Sequence, residues 1–71
     1  MYHLIDTFNS HRISSHRTIK AAVKADNAYQ RAVKRANGES SYIPTAYYEG
    51  GTQKTWRSKG VQVDENGDQI V

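Results

Sequence analysis

Cations recur in the middle of this sequence at intervals of three, four and seven residues, the spacing of side chains that share one face of an α-helix. These cations are Arg17, Lys20, Lys24, Arg31, Lys34 and Arg35, and Asn27 falls on the same side of the helix. We call these seven residues the basic face. No acid falls within it. Because like charges three or four residues apart repel by a few tenths of a kcal/mol, the pattern favours a surface that binds anions such as phosphates. A solvated face made of good helix formers is the alternative.

The helix that would carry the basic face is predicted over residues 16–36. This segment contains neither Gly nor Pro and is rich in Ala, Lys, Arg and Gln, which favour helix. Ser14 or Ser15 is the predicted N-cap, and Asn37-Gly38 is typical of a helix end.

The side of this helix that would pack on a sheet is mostly Ala, which lets the two lie close together. Its members are Ile19, Ala22, Ala25, Tyr29, Ala32, Val33 and Ala36. Asp26 falls at the margin of this arc, where we expect it to have a hydrogen-bond partner.

The predicted first turn of the helix carries His16 and Arg17 and no acid. A helix N-terminus favours negative charge, so a bound phosphate or carboxylate would suit this position. Such an anion would contact backbone N–H groups and nearby polar side chains, namely Ser14, Ser15, Thr18, His11 and Arg12. A plain serine cap with two solvated side chains is the alternative.

Segments that favour β-structure lie on both sides of the helix. Residues 2–8 are rich in β-formers and predict a strand, and residues 12–14 predict either a second short strand or the approach to the helix. Three further segments follow the helix: an edge strand at 40–48 that contains Pro44, a hairpin turn at 49–52 and a returning strand at 53–58.

The C-terminal segment carries Asn66-Gly67 between alternating residues, a strong hairpin signal, so residues 61–63 and 69–71 predict a final hairpin. The predicted fold class is therefore α+β. One helix packs on a small three- to four-stranded, mainly antiparallel sheet, in the order β-α-β-β with an optional last strand. The 71 residues form one domain, with residues 61–71 as an acidic C-terminal hairpin or tail.

Charge is unevenly divided along the chain. Residues 1–60 hold all ten Lys and Arg and four acids, whereas residues 61–71 hold three acids and no base. A basic body is typical of proteins that bind nucleic acid or another anionic partner. An acidic tail can lie over a basic patch and weaken that binding, and an ordinary solvated hairpin is the alternative.

Large apolar residues are scarce, which predicts a thin core. Leu, Ile, Val and Phe together number twelve of 71 residues, about 17%. A homodimer through strand edges or exposed Tyr side chains would extend such a core.

A secondary candidate site surrounds the chain's single Trp. Trp56 lies between Lys54 and Arg57, and aromatic rings beside bases can stack on unpaired nucleotides. Three Tyr residues lie on the neighbouring predicted strand, namely Tyr42, Tyr47 and Tyr48. Because Trp56 is the largest side chain available to the core, a buried position is the favoured interpretation.

The sequence argues against catalysis and against a bound cofactor. A chain this short has little room for a deep catalytic pocket, and neither a G-x-S-x-G turn nor a Gly-rich phosphate loop is present. His3, His11 and His16 lack the paired spacing of zinc ligands, and there is no Cys. No catalytic residue, metal or cofactor is therefore expected. The absence of an apolar run or a secretion signal favours a cytoplasmic protein without membrane contact.

Residues 15–25, 31–38 and 41–44 resemble a group of short uncharacterised bacterial proteins, and the likeness covers roughly residues 10–45. In size, basic charge and order of elements the chain is similar to small phage and mobile-element proteins, including anti-CRISPR proteins. This second likeness implies a protein that acts without catalysis, by occupying a nucleic-acid or protein surface of a host defence complex.

Three functional hypotheses follow. The first is a non-enzymatic module whose basic face, with Arg12 and His16 at the helix start, binds nucleic acid or a nucleoprotein complex through phosphates, independently of sequence. The second is a phage or mobile-element inhibitor that places the same face on an acidic protein surface or a guide-bound complex. The third is a small accessory protein that dimerises.

Overall fold

A computed structural model describes residues 1–56 and 60–70 of the chain. Within these residues the elements, in chain order, are β1 (Tyr2–Asp6), β2 (His11–His16), α1 (Ile19–Asn37), β3 (Thr45–Glu49) and α2 (Gln53–Trp56). The described strands form an antiparallel sheet in the order β2-β1-β3, against which α1 packs. The predicted α+β class with an antiparallel sheet is confirmed, but the predicted order of elements is wrong, because two strands precede the helix.

The central strand β1 supplies the two largest fully buried side chains of the described residues, Leu4 and Ile5. Leu4 pairs with Ser14 of β2 and with Tyr47 of β3, and a bulge interrupts the β2 pairing between Leu4 and Ile5. Leu4 and Ile5 are 0% and 1% exposed although they are adjacent. Since adjacent strand residues point to opposite faces, both faces of the sheet are covered at its centre.

Pairing with β1 draws His11–His16 into the sheet, so α1 begins later than predicted. Ser14 and Ser15, the predicted N-caps, lie within β2, and their hydroxyls bond the rings of His16 and His3 at 2.8 and 2.7 Å. Thr18 caps the helix instead, its Oγ1 accepting the Ala21 N–H at 3.2 Å. The predicted end is confirmed: Gly38, at φ 110°, donates its N–H to the Lys34 carbonyl at 2.8 Å.

The packed face of α1 agrees with the predicted one at most positions and is rotated slightly from it. Ala22 is buried, and four other predicted members are partly buried, namely Ile19, Ala25, Tyr29 and Val33. Ala32 and Ala36 are instead exposed, whereas Val23 and Gln30 are partly buried. The Gln30 amide explains the rotation: it donates to the Ile43 carbonyl at 2.7 Å and accepts the Ile43 N–H at 3.2 Å. The segment before β3 therefore holds the Gln30 side of the helix.

Asp26 joins α1 to β3 and has the partners expected of it. Its carboxylate accepts hydrogen bonds from Tyr47 Oη at 2.5 Å, from Thr45 Oγ1 at 2.9 Å and from Gln30 Nε2 at 3.3 Å. Burial, followed by the bond to Asp26, raises the pKa of Tyr47 well above its ordinary value. The phenol is therefore held as a donor.

An Asp side chain ends β1 at Asp6, two residues before the predicted end. Its carboxylate accepts the N–H groups of Phe8 and Asn9 at 2.9 and 3.2 Å and the Asn9 side-chain amide at 3.0 Å. These bonds, the one from the Asn9 side chain above all, lower the pKa of Asp6 below its ordinary value of 3.8. The resulting turn leaves Phe8 82% exposed.

The segment after β3 is a helical turn, not the predicted returning strand. Gly50 and Gly51 adopt positive φ of 63° and 84°, and the Thr52 carbonyl then accepts the N–H groups of Thr55 and Trp56, both at 3.0 Å. The chain thus enters α2 at Gln53, directly after Thr52, where β-formers predicted a strand. The rest of the predicted strand, residues 57 and 58, lies outside the described residues.

Residues 61–70 form the predicted C-terminal hairpin, and Val71 lies outside the described residues. Val61 pairs with Tyr47 of β3, and Val63 pairs with Gln69 within the hairpin. Asp64 Oδ1 accepts the N–H groups of Asn66 and Asp68, both at 2.9 Å, and Gly67 adopts a φ of 84°.

Removing the Asp26 carboxylate should destabilise the protein much more than an alanine substitution at an exposed helix position does. In Asp26→Ala the hydroxyls of Thr45 and Tyr47 lose their acceptor, so we expect a loss of about 2–3 kcal/mol in the free energy of unfolding, and about 1 kcal/mol for Tyr47→Phe. Urea denaturation followed by circular dichroism measures both. Asn27→Ala, on the exposed neighbouring position, is the control and should change stability by less than about 0.5 kcal/mol. Equal effects of Asp26→Ala and Asn27→Ala would contradict the role given to this carboxylate.

The turn at Asp6 should make the fold acid-sensitive. Because the folded pKa of Asp6 is depressed, its contribution is fully present above the unfolded value and is lost as the pH falls through the folded value. The difference in unfolding free energy between wild type and Asp6→Asn should be constant from about pH 7 to pH 5 and should shrink below about pH 4. Denaturant titrations across this range test it, and a difference independent of pH would refute it.

Candidate anion-binding surface

Helix α1 displays the basic face to solvent along most of its length. Lys20, Lys24, Asn27, Arg31, Lys34 and Arg35 all belong to α1 and are all exposed. At 1.5 Å per residue, the stretch from Lys20 to Arg35 is about 22 Å long. The face is therefore a straight row of cations rather than a compact cluster.

The residues predicted at the helix start are dispersed by the structure. Arg17 is exposed and lies between β2 and α1, and Arg12 is exposed on β2. His16 belongs to β2, not to the helix, and its Nε2 bonds the Ser14 hydroxyl. The predicted first turn with His16, capped by Ser14 or Ser15, is thus wrong, because strand pairing takes these residues. The actual first turn of α1 still contains no acid.

Little of the positive charge on this face is neutralised by the described part of the chain. There, Lys20 Nζ lies 3.4 Å from Asp68 Oδ1, with the two side chains 69% and 55% exposed. An exposed pair of this kind contributes no more than about 1 kcal/mol. Between Lys24 and Arg35 no described carboxylate lies within ion-pair distance of a cation on this face. These cations are available to an external anion.

The acidic C-terminal hairpin adjoins the N-terminal part of α1. A Cβ added at Gly67 would lie 3.6 Å from Val23 Cγ1, and Tyr2 Oη donates to Gln69 Oε1 at 3.4 Å. Together with the Lys20–Asp68 pair, these contacts place the hairpin over the first two turns of the helix. The tail thus lies beside one end of the basic face, where it forms an exposed ion pair with Lys20.

The secondary candidate site lies on the other side of the sheet. Tyr47 reaches Asp26 of α1, so the adjacent Tyr48 points away from α1. His3 pairs with Tyr48 in the sheet, and its ring centroid lies 5.5 Å from that of Trp56. Lys54 and Trp56 of α2 are therefore separated from the basic face by the sheet, and Arg57 lies outside the described residues.

Trp56 is less buried than the sequence predicted. It is partly exposed, and its Nε1 donates to the Gly50 carbonyl at 3.2 Å. A shallow pocket of about 200 Å³ beside it is lined by Tyr48, Glu49, Gly50, Gly51, Thr55 and Trp56. This is below the range of roughly 300–1,000 Å³ that is typical of small-molecule sites.

Two aromatic side chains are more exposed than the other aromatic residues that the structure describes. Tyr42, which the sequence places on the strand beside Trp56, is 64% exposed, and Phe8, which was not among the predicted site residues, is 82% exposed. Apolar character alone favours burial of Phe8. The available signal for Phe8 was the Asp6-to-Asn9 spacing, which is typical of a turn closed by a side chain.

Comparison with known proteins adds no further constraint. No protein-family model, curated protein or solved structure matches the chain. Among residues 1–56 and 60–70, no group of three or more His, Asp or Glu side chains is arranged to hold a metal ion. In the same residues no helix has the length and apolar character needed to cross a bilayer.

An added carboxylate on the basic face should raise the free energy of unfolding, because it offsets the repulsion between the cations. Asn27→Glu places a carboxylate four residues before Arg31 and three after Lys24, and each pair should contribute about 0.2–0.5 kcal/mol to the free energy of unfolding at low salt. In about 1 M salt the gain should vanish. Asn27→Gln is the uncharged control, and urea denaturation at the two salt concentrations is the measurement. A gain equal to that of the Gln variant would show that the repulsion is not felt.

Proposed function

We propose that the basic face binds nucleic acid through its phosphates, without catalysis. The observation that carries this proposal is the row of exposed cations from Lys20 to Arg35, which the described acids leave largely unpaired. Its length, about 22 Å, suits a polymer of regularly spaced charges better than a single small anion. Arg17 extends the same row at the helix start.

The chemistry of the row predicts binding that is independent of base sequence. Lys and Arg neutralise phosphates and release counterions, which favours any nucleic acid alike. Asn27 is the amide on this face that can read a base edge, and it stands among side chains suited to phosphate contacts. Contacts of this kind position a protein without specifying a sequence.

Binding to fluorescent random DNA duplex and to an RNA strand should be micromolar or tighter at low salt and should fall steeply as salt is added. Fluorescence anisotropy at several salt concentrations measures it. Lys24→Ala and Arg31→Ala should each weaken binding to all sequences alike and flatten the slope of log K against log salt by about 0.9 on duplex.

Lys54→Ala is the matched control for these variants, because it removes one positive charge from the other side of the sheet. Its salt slope should equal that of the wild type. If Lys54→Ala flattened the slope as much as Lys24→Ala, net charge rather than the basic face would explain the binding.

The same face also suits an acidic protein surface, as in a phage or mobile-element inhibitor that covers part of a host defence complex. A partner retained from bacterial lysate after nuclease treatment, and lost with Lys24→Ala, would favour that function. No nucleic-acid binding at low salt would overturn the proposal made here.

A further inference from the structure

The two most exposed aromatic side chains of the described residues lie at the same end of the molecule. Phe8 is 82% exposed in the turn between β1 and β2, and Tyr42 is 64% exposed in the segment before β3. Hydrogen bonds from Thr7 N and Thr7 Oγ1 to the Pro44 carbonyl, at 3.0 and 3.2 Å, hold these two segments together. The backbone segments that carry the two exposed rings therefore lie side by side.

These segments adjoin the C-terminal part of the basic face. Gln30 of α1 exchanges two hydrogen bonds with the backbone of Ile43, at 2.7 and 3.2 Å, and Ile43 follows Tyr42 directly. Arg31 comes next after Gln30, and Lys34 lies one turn further along the helix. The acidic hairpin contacts the opposite end, at Lys20 and Val23.

Phe8 is presented outward by a fixed turn. The Asp6 carboxylate holds the N–H groups of Phe8 and Asn9, so the backbone that carries the ring is fixed while the ring itself lies in solvent. Phe8 is the only Phe in a chain with few large apolar residues. Leaving it outside forgoes the burial of a large apolar side chain in a thin core, which an intermolecular contact of the ring would offset.

We propose that Phe8 and Tyr42 stack on unpaired bases while Arg31 and Lys34 hold the neighbouring phosphates, so that the preferred ligand is single-stranded nucleic acid. This inference rests on the proposed function of the basic face. Bases inside a duplex already stack on each other, whereas unpaired bases offer a free ring face to an aromatic side chain. Aromatic rings beside a cationic track are the usual means of holding a single strand.

The surroundings of the rings favour this ligand over an apolar protein groove. Met1, another exposed large apolar residue, lies at the opposite end of β1, and Ile70 lies in the C-terminal hairpin. Among the described residues, the other large apolar side chains with such exposure therefore lie away from the two rings, whereas an apolar partner would require a broad apolar patch. Trp56 does not contribute, because the sheet separates it from α1.

The test compares three fluorescent ligands of equal length by anisotropy: a 12-nucleotide single strand, the same backbone with abasic sites, and the duplex. Phe8→Ala and Tyr42→Ala should each weaken single-strand binding about fivefold or more and leave duplex and abasic binding unchanged. The wild type should bind the abasic strand about as weakly as a variant that combines Phe8→Ala with Tyr42→Ala binds the intact single strand. The aromatic variants should keep the wild-type salt slope, in contrast to Lys24→Ala.

Two further variants keep the result interpretable. Phe8→Tyr retains a ring and should bind like the wild type, and Phe8→Leu retains apolar bulk and should bind like Phe8→Ala. Ile70→Ala, which truncates an exposed apolar residue elsewhere, is the matched control and should have no effect. Circular dichroism checks that each variant folds.

The outcomes separate this inference from the proposed function. If the wild type binds intact and abasic strands equally and Phe8→Ala changes nothing, the stacking surface is refuted while phosphate binding stands. If the wild type binds none of the three ligands at low salt, both are refuted. A Phe8→Leu variant as tight as the wild type would also overturn the proposal, because it would replace stacking by general apolar contact.

Discussion

The orientation of α1 depends on the carboxylate of Asp26, which Tyr47 and Thr45 of β3 hold from the sheet side. A helix whose contact face is mostly small side chains has little shape to fix its rotation. Directional hydrogen bonds supply what packing does not, and the Gln30–Ile43 pair adds to them. Because Asp26 faces the sheet, the cations that lie about 80–180° around the helix from it are turned into solvent.

The fixed orientation of α1 also places the basic face and the Trp56 site on opposite sides of the sheet. The sheet is covered by α1 on one face and by Trp56 and α2 on the other, so cations on α1 and on α2 cannot act on one ligand side by side. The acidic hairpin lies beside the start of α1. The turn that carries Phe8 and the segment that carries Tyr42 lie toward the end of this helix. The basic face is thus asymmetric along its length.

Local signals in the sequence predicted the elements whose ends are set locally. The Gly38 helix end and the Asn66-Gly67 hairpin depend on backbone geometry within a few residues, and both are confirmed. The bounds of β2 could not be predicted from local sequence, because they depend on pairing with β1. The exposed placement of the helix cations followed from periodicity. The rotation of the packed face did not, since it is fixed by Ile43, thirteen residues from Gln30. Phe8 was missed because apolar character alone predicts burial.

The position of β1 at the centre of the sheet has a consequence for how the chain reaches its native state. Strand β1 precedes both of its partners in the chain, and one of them, β3, contains Tyr47, which pairs with Leu4. The β1–β2 hairpin and α1 can form from neighbouring residues, but closing β3 onto β1 joins residues that are far apart in the chain, such as Leu4 and Tyr47, and so costs more loop-closure entropy. The fold therefore combines local steps with one long-range closure, the kind of step that slows folding.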